Sequence, residues 1–161
     1  MFAIGEVSSK FATTALGFLI DMFNDEDSEI RIDAVHCIAK LGTKWPLVLN
    51  DDCIKSVILI LLDKDTNVRK LAYQMLRYFM CNKRVLFFQS SSCVSSIIKI
   101  LYQNLVSNEQ DREFIYNSLG GIAQNYPKLV GEMIPVFFEL EKGLLPKEYR
   151  LDDKICKIFF K

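Results

Sequence analysis

Residues 25–31 read DEDSEIR, and residues 63–69 read DKDTNVR. The two segments lie 38 residues apart, since position 63 matches position 25, and each begins with aspartate and ends with arginine. Apolar side chains recur in each copy at steps of four, four and three: Ile30, Ala34, Ile38 and Leu41 in the first, and Val68, Ala72, Leu76 and Phe79 in the second. This spacing places one apolar stripe on one face of a helix.

Another apolar stretch precedes each acidic segment, so the repeated unit is a first helix, a short acidic turn and a second helix. These stretches are Phe11, Ala15, Phe18, Leu19, Met22 and Phe23 in the first repeat, Ile54, Val57, Ile58, Leu61 and Leu62 in the second, and Val94, Ile97, Ile98, Leu101 and Leu105 in the third. A weaker third copy begins at Asp111-Arg112, where Asp111 occupies a position that is apolar in the other two copies. A period of this length lies at or just below the range of about 40 to 47 residues of HEAT and armadillo repeats. The sequence therefore predicts an all-α solenoid of HEAT-type helical hairpins, with about three full repeats and partial ones at the ends.

Both ends of the chain carry apolar segments, at residues 3–7 and 158–160, where a free-standing solenoid would have a polar cap. We therefore expect residues 1–161 to form a single HEAT/armadillo-like segment of a longer array. A glycine, Gly42, directly follows the first apolar stripe and is expected to end that helix.

Four charged residues occupy equivalent positions in the first two repeats: Asp25, Arg31, Asp63 and Arg69. In a stack of repeats such residues can pair between neighbours, and we refer to this predicted set of ion pairs as the ladder. Its role is expected to be structural.

The sequence offers little for catalysis. Lys plus Arg equals Asp plus Glu, 20 each, which argues against binding nucleic acid through bulk charge. The single histidine, His36, has no recognisable nucleophile or metal-ligand partner in the sequence, and no phosphate-binding or catalytic motif is present. We expect no enzyme activity, no catalytic residues, no cofactor and no metal, and the apolar runs are too short to cross a membrane.

Two segments are candidates for contact with protein partners. Lys70 and Arg77 share one helix face and could receive an acidic or phosphorylated ligand, although an ordinary solvated face would show the same pattern. An apolar run between the second and third repeats, Leu86, Phe87 and Phe88, could dock a partner or could begin a helix that packs inward.

One run is more specific than the repeat pattern. Residues 18–26 read FLIDMFNDE, followed by Glu29-Ile30-Arg31 and His36. Further matching positions are Asp111-Arg112, Tyr126-Pro127, Leu129-Val130, Pro135 and Asp152-Asp153. In order and spacing these residues resemble the HEAT-repeat region in the N-terminal half of the Integrator complex subunit 4 family.

That resemblance implies a nuclear, non-catalytic scaffold that supports the endonuclease cleavage module in small nuclear RNA 3′-end processing and RNA polymerase II transcript cleavage. The implied partners are a heterodimer of metallo-β-lactamase-fold subunits, one of them the nuclease, with no direct sequence-specific contact to nucleic acid and no membrane. The acidic turn alone would also fit a generic HEAT adaptor in vesicle coats, nuclear transport or chromosome architecture.

Overall fold

The computed structural model of the 161-residue chain describes residues 9–81 and 91–137. Within those two ranges the chain forms seven α-helices and two short 3-10 helices, with no strand. The α-helices are α1 (Ser9–Asp21), α2 (Ser28–Lys44), α3 (Asp51–Ile60), α4 (Thr66–Cys81), α5 (Ser91–Ser107), α6 (Arg112–Asn125) and α7 (Pro127–Phe137), and the 3-10 helices are Met22–Asn24 and Glu109–Asp111. The predicted all-α fold is confirmed.

Consecutive helices alternate between two layers. Helices α2, α4 and α6 pack side by side in one layer, and α1, α3, α5 and α7 follow one another in the other. The pairs α1–α2, α3–α4 and α5–α6 are three helical hairpins, and α7 follows α6 in the layer of α1, α3 and α5. This stacking of hairpins is the architecture of a HEAT-type solenoid.

The acidic turns start the second helix of the first two hairpins. An Asp27 side-chain oxygen accepts a hydrogen bond from the Glu29 amide at 2.9 Å, and an Asp65 oxygen accepts one from the Asn67 amide at 2.7 Å. Each carboxylate satisfies an amide that has no partner inside the helix and lies at the positive end of the helix dipole. The conformation of both turns is thus encoded locally.

Most side chains of the apolar stripes are buried in one continuous core between the two layers. Five side chains that the pattern assigned to these stripes are instead exposed, namely Phe11, Phe18, Met22, Ile30 and Leu62. Four of the five belong to the first repeat. Helical periodicity identifies an apolar face, but it does not say whether a neighbouring repeat covers that face.

Gly42 does not end its helix, because α2 continues to Lys44, and this prediction was wrong. A Cβ atom built on Gly42 would lie 2.5 Å from the Phe79 ring atom Cε1 and 3.4 Å from Leu47 Cδ1. Phe79 is itself buried on the neighbouring helix α4. Because Gly42 has no side chain, α2 and α4 can approach each other closely at this position.

Gly42→Ala should destabilise the protein, although alanine is the better helix former. The added methyl group has to displace a buried ring, and overpacking of this kind costs about 1 to 3 kcal/mol. Gly17→Ala in α1 is the matched control, since its Cβ would meet nothing within 4 Å, and it should be neutral or slightly stabilising. Thermal unfolding followed by circular dichroism compares the melting temperatures of the two variants. Equal changes in melting temperature would contradict the role of Gly42 in helix packing.

Candidate functional site

The turns of the first two repeats share the same internal hydrogen bonds. Asp25 Oδ1 accepts from the Asp27 amide at 2.9 Å, and Asp63 Oδ1 accepts from the Asp65 amide at 2.8 Å. The amides of Asp25 and Asp63 in turn donate to the carbonyl three residues earlier, at 3.2 and 3.3 Å. Two aspartates 38 positions apart are therefore held in equivalent local structures.

Arg31 connects the first turn to the second. Its guanidinium makes two bonds to the Asp63 carboxylate, from Nε at 2.7 Å and from Nη2 at 3.0 Å. The remaining nitrogen, Nη1, donates to the backbone carbonyls of Asp25 at 2.7 Å and Glu26 at 3.1 Å. The residue is only 4% exposed, so one buried side chain joins the backbone of its own turn to the carboxylate of the next repeat.

Arg69 makes the equivalent connection one repeat later. Its Nη1 donates to the carbonyls of Asp63 at 2.8 Å and Lys64 at 3.1 Å, and its Nε donates to Asp111 Oδ2 at 2.7 Å. The structure therefore brings Arg31 together with Asp63, as the ladder requires. It pairs Arg69 with an aspartate outside the predicted set.

Asp111 pairs with Arg69 as Asp63 pairs with Arg31, but the two aspartates lie at different positions of the repeat sequence. Asp63 lies six residues before Arg69, whereas Asp111 lies one residue before the equivalent arginine, Arg112. The position six residues before Arg112 is Val106, which is 70% exposed. The 3-10 helix Glu109–Asp111 brings the Asp111 carboxylate to Arg69, where it is fully buried.

A second buried polar group lies beside the ladder, and the sequence pattern did not predict it. Asn104 Nδ2 donates to the Leu61 carbonyl at 2.7 Å and to the Tyr73 hydroxyl at 2.9 Å, and Ser118 Oγ donates to the Tyr73 carbonyl at 2.9 Å. These bonds join the second hairpin to both helices of the third. The signal that could have revealed them is a polar residue, Asn104, beside the apolar stripe of α5.

The surroundings of the Tyr73 hydroxyl strongly disfavour its ionised form. Burial, followed by the negative charge of Asp111, raises the pKa of Tyr73 from 10.0 to about 12. Because the folded state holds this proton more tightly than the unfolded state does, the stability linked to it is fully present below pH 10. It is lost as the pH rises from about 10 to about 12.

Tyr73→Phe should lower the free energy of unfolding by about 1 kcal/mol at pH 8, because it removes a buried hydrogen-bond partner of Asn104. The difference between parent and variant should narrow at pH 11, since the parent then loses the stability linked to its hydroxyl proton. Urea unfolding at the two pH values measures both differences. A difference that widens with pH would contradict the burial of the hydroxyl.

The two basic residues of the candidate partner surface lie along the seam between α4 and α6. Lys70 Nζ is 5.6 Å from the centre of the Phe114 ring, a cation–π contact. Arg77 is exposed, and a Cβ built on Gly121 would lie 3.7 Å from its Cγ. The other candidates, Leu86, Phe87 and Phe88, lie outside the described residues.

The other reactive side chains in the described part of the chain are not arranged as a catalytic or metal site. His36 is exposed on α2, and burial raises the pKa of the Cys37, Cys53 and Cys93 thiols, which favours their neutral form. Over residues 9–81 and 91–137, no group of three or more His, Cys, Asp or Glu side chains is arranged to hold a metal ion. No helix in the same ranges is long and apolar enough to cross a membrane.

Stacked hairpins joined by buried arginines define this protein as a HEAT-type repeat protein. The family model described as Cnd1, non-SMC mitotic condensation complex subunit 1, matches residues 8–130, and the chain belongs to that family.

The chain is also similar to Integrator complex subunit 4 of several animals, which confirms the resemblance seen in the sequence. It is 29% identical to the Xenopus laevis protein over 146 residues, which are 91% of this chain and 14% of the relative. It is 26% identical to the human protein over 150 residues, 93% of this chain and 15% of the relative. For the Drosophila melanogaster protein the identity is 30% over 120 residues, 74% of this chain and 11% of the relative. The chain thus spans about a seventh of the length of the vertebrate relatives it matches.

Proposed function

We propose that this protein is a nuclear, non-catalytic scaffold of the Integrator complex that supports the endonuclease cleavage module in small nuclear RNA 3′-end processing and RNA polymerase II transcript cleavage. The observation that carries the proposal is similarity to Integrator complex subunit 4 over 91% of the chain. A HEAT-type fold by itself would leave the function open.

The described geometry suits a scaffold. Two buried arginines fix each hairpin to the next, and such a stack presents a long surface of defined shape. A rigid surface can hold two partners in fixed relation and raise their effective concentration without touching the reacting groups. The proposed partners are the two metallo-β-lactamase-fold subunits of the cleavage module.

We also propose that residues 1–161 form one HEAT/armadillo-like segment of a longer array. The support is the similarity to relatives about seven times as long, and the core that runs through all three hairpins.

Removing residues 9–137 from the protein in cells tests the proposed function. We expect less assembled cleavage module and an accumulation of unprocessed small nuclear RNA, while the nuclease itself keeps its metal and its activity on a model RNA. Unchanged assembly of the module would contradict the proposal.

The seam between α4 and α6 is our candidate for the partner surface, because Arg77 is exposed there and the half-buried Lys70 lies over the Phe114 ring on the same seam. Lys70→Glu combined with Arg77→Glu should reduce recovery of the nuclease pair by about tenfold or more, since like charges at an interface are strongly unfavourable. Melting should be nearly unchanged, as neither residue is in the buried core.

The matched control reverses two exposed lysines of the other layer, Lys55→Glu with Lys99→Glu. This control variant should recover the nuclease pair as well as the parent does. If the two double variants recovered equal amounts of the nuclease pair, the seam would not be the partner surface.

A second candidate function is supported by the family match. The model for a condensation complex subunit covers residues 8–130, which favours a HEAT adaptor in chromosome architecture over one in vesicle coats or nuclear transport. Under that alternative, removal of residues 9–137 should disturb chromosome compaction and leave small nuclear RNA processing intact.

A further inference from the structure

We infer that the later halves of α2 and α4 bind a short extended peptide segment rich in aspartate or glutamate. We call the surface that receives it the basic strip and define it by Lys40, Lys44 and Arg77. The inference rests on the proposed scaffold function, because Arg77 also belongs to the candidate partner surface, and it states the chemistry of the segment that this surface receives.

The second helix of each hairpin has one exposed stripe. The layer of first helices covers one side of α2 and α4, and the second helices cover each other's flanks. In the later half of α2 the exposed residues include His36, Lys40 and Lys44, at steps of four, and in α4 they include Gln74 and Arg77, at a step of three. These side chains therefore lie on one outward surface of the layer.

Two close contacts fix how the three second helices lie beside one another. Gly42 of α2 lies against the Phe79 ring of α4, and a Cβ built on Gly121 of α6 would lie 3.7 Å from Arg77 Cγ. The last turns of α2, α4 and α6 are therefore level with one another. The basic strip runs across the first two of these helices and ends beside the third.

The later halves of these helices carry positive charge and no negative charge. No aspartate or glutamate occurs at residues 34–44, 72–81 or 115–125. The exposed carboxylates of the same three helices, Glu29, Asp33 and Glu113, all lie in the halves that follow the acidic turns. The strip is thus a small positive area bounded by negative charge, and it attracts carboxylates of a partner.

The size of the strip favours a peptide over a nucleic acid. A nucleic-acid strand carries a negative charge at every nucleotide, so it would extend past three cations towards the carboxylates at the other ends of the helices. Packed helices lie about 8 to 10 Å apart, and an extended peptide advances about 3.3 Å per residue. Two acidic residues three positions apart in a peptide therefore match the distance from α2 to α4.

The surface beside Arg77 leaves room for a peptide backbone. Helix α6 has no side chain at Gly120 or Gly121, and a Cβ built on Gly120 would meet nothing within 4 Å. The exposed side-chain amides of Gln74 and Asn117 offer both donors and acceptors of hydrogen bonds, which suits the N–H and C=O groups of an extended chain. Partners for carboxylates and for a backbone thus lie on one surface.

Fluorescence anisotropy with the full chain and a labelled peptide of four Glu-Gly-Ser units tests the inference. We expect saturable binding at about 50 mM salt that weakens several-fold at about 200 mM, because salt screens exposed charges. A peptide of four Gln-Gly-Ser units is the uncharged control, and it should not bind measurably.

The position of the site is tested by Lys44→Gln combined with Arg77→Gln, which should raise the Kd of the acidic peptide by about fivefold or more. Both side chains are exposed, so the melting temperature should stay close to that of the parent. Lys55→Gln combined with Lys99→Gln is the matched control, because it removes the same charge from exposed positions of the other layer. The control should change the Kd by less than about twofold.

Equal loss of affinity in the two double variants, or equal binding of the charged and uncharged peptides, would overturn the inference. Tighter binding of a labelled oligouridylate of the same length would also overturn it, because the strip would then be a nucleic-acid site. These measurements use the isolated chain and no Integrator subunit. They can therefore fail while the nuclease pair is still recovered from cells, and they can succeed when it is not.

Discussion

Arg69→Met should lower the free energy of unfolding by about 3 to 5 kcal/mol, because it leaves the Asp111 carboxylate buried without a partner. The Arg69 side chain is 6% exposed and that of Asp111 is 0% exposed, so water cannot replace the lost guanidinium. The substitution also removes the donor to the carbonyls of Asp63 and Lys64. For a chain of this size the melting temperature should fall by roughly 6 to 20 °C.

Two comparisons separate a buried pair from an ordinary surface one. Arg112 is the equivalent residue of the third repeat, but it pairs with an exposed Glu109, so Arg112→Met should cost less than about 1 kcal/mol. Combining Arg69→Met with Asp111→Leu removes both charges and should recover much of the loss. Urea unfolding measures the free energy of unfolding of all three variants. If Arg69→Met destabilised the protein no more than Arg112→Met does, the ladder would not be buried.

Val68→Asp should lower the free energy of unfolding by roughly 4 kcal/mol or more. Val68 is 0% exposed, and an aspartate there would have to bury its charge or take up a proton. Ordinary domains are stable by only about 5 to 15 kcal/mol, so the variant should unfold near physiological temperature.

The matched control is Ile30→Asp. Ile30 occupies the same position in α2 that Val68 occupies in α4, third from the helix start, so both substitutions place a charge in the same part of the helix dipole. Ile30 is 39% exposed, and its replacement should change stability by less than about 1 kcal/mol. Equal damage from the two substitutions in thermal unfolding would mean that the repeats are not stacked in the register described.

The hairpin architecture was predictable because each repeat encodes its own turn. An aspartate six residues before an arginine, with a second aspartate capping the following helix, produced the same hydrogen bonds in both copies. Local chemistry of this kind is visible in the sequence, since cap and helix lie within a few residues of each other. Arg31 and Asp63 lie 32 residues apart in the sequence, and the repeat period indicated that they would pair.

Other parts of the site were not predictable, because they depend on contacts between distant segments. Asp111 replaces an apolar residue in the repeat pattern, and only the 3-10 helix before α6 brings its carboxylate to Arg69. Asn104 was not singled out in the sequence, because an amide side chain beside an apolar stripe does not show its partners, yet it is 4% exposed and donates to the Tyr73 hydroxyl. Gly42 reads as a helix end and is instead a point of close helix packing.

The exposed apolar side chains of the first hairpin illustrate a general limit of predicting burial from sequence. A repeat has the same apolar pattern whether or not another repeat lies against it, so Met22 and Ile30 look like core residues in the sequence. At the equivalent positions of the second hairpin, Ile60 and Val68 are buried, whereas Met22 and Ile30 are exposed.

Quantitative mass spectrometry of proteins that co-purify from nuclear extract with a tagged form of this protein tests the proposed function most directly. We expect the two metallo-β-lactamase-fold subunits of the cleavage module to be enriched together with other Integrator subunits, and this enrichment to be lost with Val68→Asp. Enrichment of condensin subunits, coat proteins or nuclear-import cargo, without Integrator subunits, would contradict the proposed function and leave the fold as the established result.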